Sequence, residues 1–86
     1  MIYPSQVRAA RGLLGISQTD LSRRAGVGLA TVKRIESSSE ELHVTVQTLL
    51  RIRKALEAAG VIFIDQDEER GPGVRLRRPR DLNRLS

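Results

Sequence analysis

Residues 17–36 read SQTDLSRRAGVGLATVKRIE, and the fold follows from how this stretch is punctuated. Leu21 and Ala25 stand four apart and Val32 and Ile35 three apart, spacings that put side chains on one face of a helix. Between the two pairs lies Gly26-Val27-Gly28. Ser17 precedes the first pair, where a side-chain oxygen can cap a helix N-terminus. Gly26 follows it, where helices commonly close on a left-handed residue that glycine adopts without steric cost. The stretch predicts two short helices joined by a tight turn. On a wheel of about 100° per residue, the second helix turns Val32 and Ile35 one way and Ala30, Lys33 and Arg34 the other, with Leu29 at the border.

Such a pair is a helix-turn-helix. Outward charges alone are common on short surface helices. Combined with the spacing and the turn, they fit a helix whose outer face enters a major groove. The residues Ser17-Gln18, Leu21, Ala25-Gly26-Val27, Thr31-Val32 and Arg34-Ile35-Glu36 resemble the lambda-repressor-like family, also called the Cro/repressor or xenobiotic-response-element type. The likeness spans roughly residues 5 to 58. Two departures stand out. Gly28 occupies a position where the family often has a capping Ser or Thr, and it brings no side chain to a phosphate. Leu29-Ala30 stand where several members carry polar base-reading residues.

The resemblance implies a mainly α fold: a four-helix lambda-repressor-like DNA-binding domain with an appended C-terminal β-hairpin. It places Gln18 where a helix N-terminus meets the DNA backbone, and free N–H groups there attract anions in any case. It also pairs Arg11 with Glu36, tying the first helix to the recognition helix. Arg11 falls on the apolar stripe of Val7, Ala10, Leu13 and Leu14, where an unpartnered charge would be costly. The candidate DNA contacts are Ser17, Gln18 and Gly28, the helix residues Leu29, Ala30, Thr31, Lys33 and Arg34, and Ser37 in the following loop. Ser38 and Ser39 are weaker phosphate candidates. Arg23 and Arg24 suit the end of their helix by charge, and can equally reach phosphate.

The chain has 86 residues, the size of one small domain whose limited core makes an oligomer plausible. Cysteine is absent and histidine occurs once, at His43, which excludes disulfides and thiolate metal sites and calls for no cofactor. No signal-like N-terminus or long apolar run occurs, so the expected location is the cytoplasm, with no membrane partner. Net charge is +5, unevenly spread. Residues 1–36 carry six Arg/Lys against two Asp/Glu, residues 37–69 three against seven, and residues 70–86 six against one. The basic ends suit a polyanion such as double-stranded DNA, although solubility charge alone can look the same.

Elsewhere, Ser5 is a candidate cap for the first helix, and Thr45 for a fourth running to about Ala59 with Gly60 as its stop. Leu49, Ile52, Leu56 and Ala59 form its apolar stripe. The period then shortens: Val61-Ile62-Phe63-Ile64 and Val74-Arg75-Leu76 predict a β-hairpin around a Gly/Pro-rich acidic turn. The first strand is apolar on both faces, so either Val61/Phe63 or Ile62/Ile64 needs cover beyond the helices. A homodimer through Val61, Ile62, Phe63, Ile64, Val74 and Leu76 would provide it. The expected organisation is residues 1–60 for DNA binding, 61–78 for dimerisation and 79–86 as a basic disordered tail adding sequence-blind affinity.

The function expected is a sequence-specific DNA-binding transcriptional regulator. Its alternatives are the antitoxin of a toxin–antitoxin pair, with a toxin as protein partner, and a protein-interaction module that has lost DNA binding. No nucleophile–base constellation, metal spacing or phosphate loop suggests an enzyme.

Overall fold

The computed structural model describes residues 2–38 and 44–79. Four helices, α1 (Pro4–Leu14), α2 (Gln18–Ala25), α3 (Leu29–Ser37) and α4 (Val46–Ala58), precede two antiparallel strands, β1 (Val61–Ile64) and β2 (Gly73–Leu76). The helix boundaries follow local chemistry. Ser17 Oγ accepts the Asp20 N–H at 3.0 Å to cap α2, and Thr45 Oγ1 accepts the Thr48 N–H at 3.1 Å to cap α4. The turn after α2 closes on Gly26 at φ 67°, which only glycine adopts cheaply.

The start of α1 corrects one expectation. Ser5 is not its cap; it lies inside the helix, because Pro4 takes the first helical position, where its missing N–H costs nothing. Tyr3 occupies the cap position instead, and Gln6 Oε1 reaches back to accept the Tyr3 N–H at 2.8 Å.

One core unites helices and hairpin. Val7 and Ala10 of α1, Leu21 and Ala25 of α2, Val32 and Ile35 of α3, and Ile52 and Leu56 of α4 meet Ile2, Val61 and Phe63 in a single buried cluster. The register pairs Val61 with Leu76 and Phe63 with Val74, so alternation puts these four side chains on the inner face of the hairpin. Val74 and Leu76 pack against the core, partly buried.

This bears on the interface expected from sequence. Val61 is 2% exposed and Phe63 8%, so their side chains are spent on the chain's own core. Ile62 and Ile64 point the other way and remain 41% and 43% exposed. The hairpin is not merely appended. Gln6, itself buried, donates from Nε2 to the carbonyls of Ile64 (3.2 Å) and Gly73 (2.9 Å), fastening the far end of the strands to α1. Arg53 of α4 lies 5.2 Å from the centroid of the Phe63 ring and 3.4 Å from Glu57, joining α4 to β1. Glu40, Glu41 and His43, and the tail from Arg80 on, lie outside the described residues.

Candidate nucleic-acid interface

Helix α3 divides cleanly. Val32, Ile35 and Glu36 are buried, Leu29 and Thr31 half-buried, and Ala30, Lys33, Arg34 and Ser37 exposed. The side chains of Lys33 and Arg34 make no hydrogen bond or ion pair among the described residues. Two cations thus stand next to each other on the outer face of a helix held from behind by apolar contacts. Gly28 caps α3 with its backbone alone: its carbonyl accepts from the N–H groups of Thr31 (3.1 Å) and Val32 (3.2 Å). Ser37 Oγ donates to the Arg34 carbonyl at 3.1 Å, and Ser38 Oγ does the same at 3.1 Å. The single donor of each hydroxyl is therefore occupied, which counts against the phosphate role expected of them. Ser39 lies outside the described residues.

Glu36 is the polar centre behind this helix. Arg11 donates to it through Nε (2.7 Å to Oε2) and Nη2 (2.8 Å to Oε1), a two-point bond that matches guanidinium to carboxylate. The third guanidinium nitrogen, Nη1, donates to the Ile16 carbonyl at 3.0 Å. Gln18 Nε2 donates to Glu36 Oε1 at 3.2 Å, and Arg8 donates to the Glu36 main-chain carbonyl. Burial by itself pushes the Glu36 carboxyl up. The hydrogen bonds from Arg11 and Gln18 and the nearby charges of Arg11 and Arg8 outweigh it, so the group is held below the usual carboxylate range. The same hydrogen bond raises Arg11 further.

Gln18 therefore has a structural bond that the sequence reading did not foresee. One amide hydrogen is engaged with Glu36, and the second has no partner among the described residues. Ser17 keeps its hydroxyl hydrogen, since Oγ acts as acceptor in the cap. The first two backbone N–H groups of α2 have no partner among the described residues. Arg8 and Gln6 were also missed by sequence reasoning. The tie from Gln6 to the hairpin had no signal, because those partners lie 58 and 67 residues away. Arg8 had one, lying one turn before Arg11 on the same helix face.

The fold and this geometry define a small helix-turn-helix bundle, with the second helix of the motif exposed on one face and anchored on the other. The helix-turn-helix family model matches residues 7–59, well over half of the chain. The chain belongs to the lambda-repressor-like helix-turn-helix family, and its domain is of the kind that DNA-binding transcription regulators carry. No curated protein matches the chain significantly in sequence. No helix among the described residues is long and apolar enough to cross a membrane.

Proposed function

We propose that the protein is a sequence-specific double-stranded DNA-binding transcriptional regulator that reads the major groove with α3 and works as a homodimer. The observation that carries the reading is the pair Lys33 and Arg34 on the outer face of α3, unpartnered among the described residues. Arg34 and Lys33 would donate to guanine edges or adjacent phosphates, a kind of contact that discriminates between bases by about 1–3 kcal/mol. Leu29, Ala30 and Thr31 would contribute apolar contact, for example to a thymine methyl. Ser17, the open hydrogen of Gln18 and the N–H groups at the start of α2 would hold a phosphate and set the docking register. Two copies would read half-sites about one helical turn, ~34 Å, apart.

The test is fluorescence anisotropy on the DNA upstream of the protein's own gene, across a salt series. The reading expects log K to fall steeply with log salt. It also expects Arg34→Ala to erase most of the preference for the specific site, by roughly 10-fold or more. Deleting residues 79–86 should instead weaken all sequences alike. An unchanged preference in Arg34→Ala would refute the base contact.

A second reading, a protein-interaction module or an antitoxin, draws on Leu29-Ala30 and on a feature of α4. Val46 and Leu50 are 67% and 50% exposed and line an apolar groove with Ile2, Leu49 and Arg53. As an interaction module the chain would show no DNA affinity, as an antitoxin it would keep its operator affinity, and in either case a protein partner's affinity should drop on Leu50→Ser.

A further inference from the structure

The outer face of the hairpin combines three features. Ile62 and Ile64 form an exposed apolar strip. Gly73 lies opposite Ile64, whose side chain stands 3.8 Å from where a Cβ on Gly73 would be, and Arg75 lies opposite Ile62. The charge is polarised along the hairpin. Its tip, residues 65–70, carries Asp65, Asp67, Glu68 and Glu69 against one Arg70, while Arg75, Arg77 and Arg78 crowd the other end. All of these charged residues are exposed. The tip is well formed: Asp67 Oδ1 accepts the N–H groups of Glu69 (2.8 Å) and Arg70 (2.7 Å), and the Asp67 N–H donates to the Arg70 carbonyl at 2.9 Å.

A strip with acidic and basic ends is complementary to itself when turned end for end. We propose that the outer faces of two hairpins pack on each other antiparallel across a two-fold axis near the Phe63–Val74 pair. This rests on the homodimer reading above and specifies its interface. At about 3.3 Å per residue, Arg77 lies three positions, roughly 10 Å, to one side of that axis, and the tip begins at Asp65, two positions or roughly 7 Å to the other. The operation sets Ile62 of one copy over Ile64 of its partner and Arg75 over Gly73, which adds no side chain of its own to the face. It also sets the basic end of each hairpin on the acidic tip of the other. Such a contact is isologous, so each favourable pairing occurs twice. Parallel stacking would set tip on tip and base on base, and like charges would oppose it. The face is small for a permanent interface, which typically takes about 800 Å² per partner, so the dimer belongs to the weak, concentration-dependent class.

The test is a charge swap, read by sedimentation velocity without DNA and therefore independent of the base-reading assignment. Arg77→Glu/Arg78→Glu makes both ends acidic, and Glu68→Lys/Glu69→Lys makes both ends basic. Asp67 is left in place because it builds the tip. Far-UV circular dichroism verifies that each variant folds. The expected result is a self-associating wild type, two variants that are each monomeric at the same concentration, and a dimer restored when they are mixed in equal amounts. Ile62→Asp/Ile64→Asp should be monomeric alone and in either mixture. A wild type monomeric at every concentration, variants that dimerise alone as well as the wild type does, or a mixture that stays monomeric would each overturn the proposal.

Discussion

Replacing Arg11 with Met removes the cation from beneath Glu36 while keeping most of the side-chain volume. Breaking a fully buried pair by deleting one partner costs about 3–5 kcal/mol, because the other charge is left in a poor solvent. Here the carboxylate side chain is 5% exposed and the guanidinium 24%, so one partner is truly buried and the other is partly wet. Gln18 and Arg8 also remain to soften the loss. A cost of about 2 kcal/mol at neutral pH follows, below the buried limit and above the 0–1 kcal/mol of an exposed pair. For a chain of this size that lowers Tm by roughly 8–16 °C. Thermal and urea melts followed by far-UV circular dichroism measure it directly. The pH dependence is the sharper readout. The folded-state pKa of Glu36 is depressed, so its contribution is fully present above the unfolded carboxylate value, about 4.3, and is lost as pH falls through the lower folded value. Wild type and Arg11→Met should therefore converge in stability as the medium is acidified below about pH 4. A gap under about 0.5 kcal/mol at pH 7, the scatter of ordinary surface substitutions, would show that the pair is merely a surface contact. A gap unchanged at low pH would show that the loss came from packing and not from charge.

Two further substitutions probe the frame around the motif. Gly26→Ala meets no atom within 4 Å of the new Cβ, so its cost is backbone strain at φ 67° alone, about 1 kcal/mol in a urea melt; a neutral result would mean that the turn relaxes. Gln6→Leu keeps the bulk but strips donors from the Ile64 and Gly73 carbonyls, and amide exchange in β1 and β2 should quicken about tenfold while α2 and α3 stay protected; equal exchange throughout would detach Gln6 from the hairpin's stability.

What could be read from the sequence was what is encoded locally. Ser17, Gly26 and Thr45 mark their helix ends by chemistry that acts within three or four residues, and the structure uses them that way. The four-helix order and the hairpin follow from apolar periods of the same short reach. What the sequence hid depends on partners far along the chain. The two faces of VIFI are equally apolar, so alternation alone cannot say which is inner. That is decided by how the chain leaves α4 through Gly60 at φ 112° and by the register with β2. At the site, the charge on an apolar stripe pointed to Arg11, and the family likeness supplied Glu36 as its partner. Nothing in the sequence pointed to the third member, Gln18, because its expected place at the DNA backbone accounted for it fully.

That third member gives the arrangement its mechanical sense. In the proposed complex, phosphate would be held at the start of α2 and bases would be read from Lys33 and Arg34 on α3, so the two helices must keep a fixed relative position. Apolar contacts between Leu21, Val32 and Ile35 resist separation of the helices but are non-directional. The Glu36 carboxylate adds direction, since it takes a two-point bond from α1 and a third from the first residue of α2. Its main chain, near the C-terminal end of α3, receives Arg8 as well, a cation where the helix dipole favours one. Three helices are thereby indexed to one side chain. The cost of ordering the reading face is met when the chain folds, and binding does not have to meet it again. Glu36→Gln keeps the shape and weakens the clamp. In the proposed complex it should blunt discrimination between DNA sites at a temperature where the circular dichroism spectrum is still that of the folded protein. Discrimination that survives intact until the protein melts would separate the clamp from the reading of DNA.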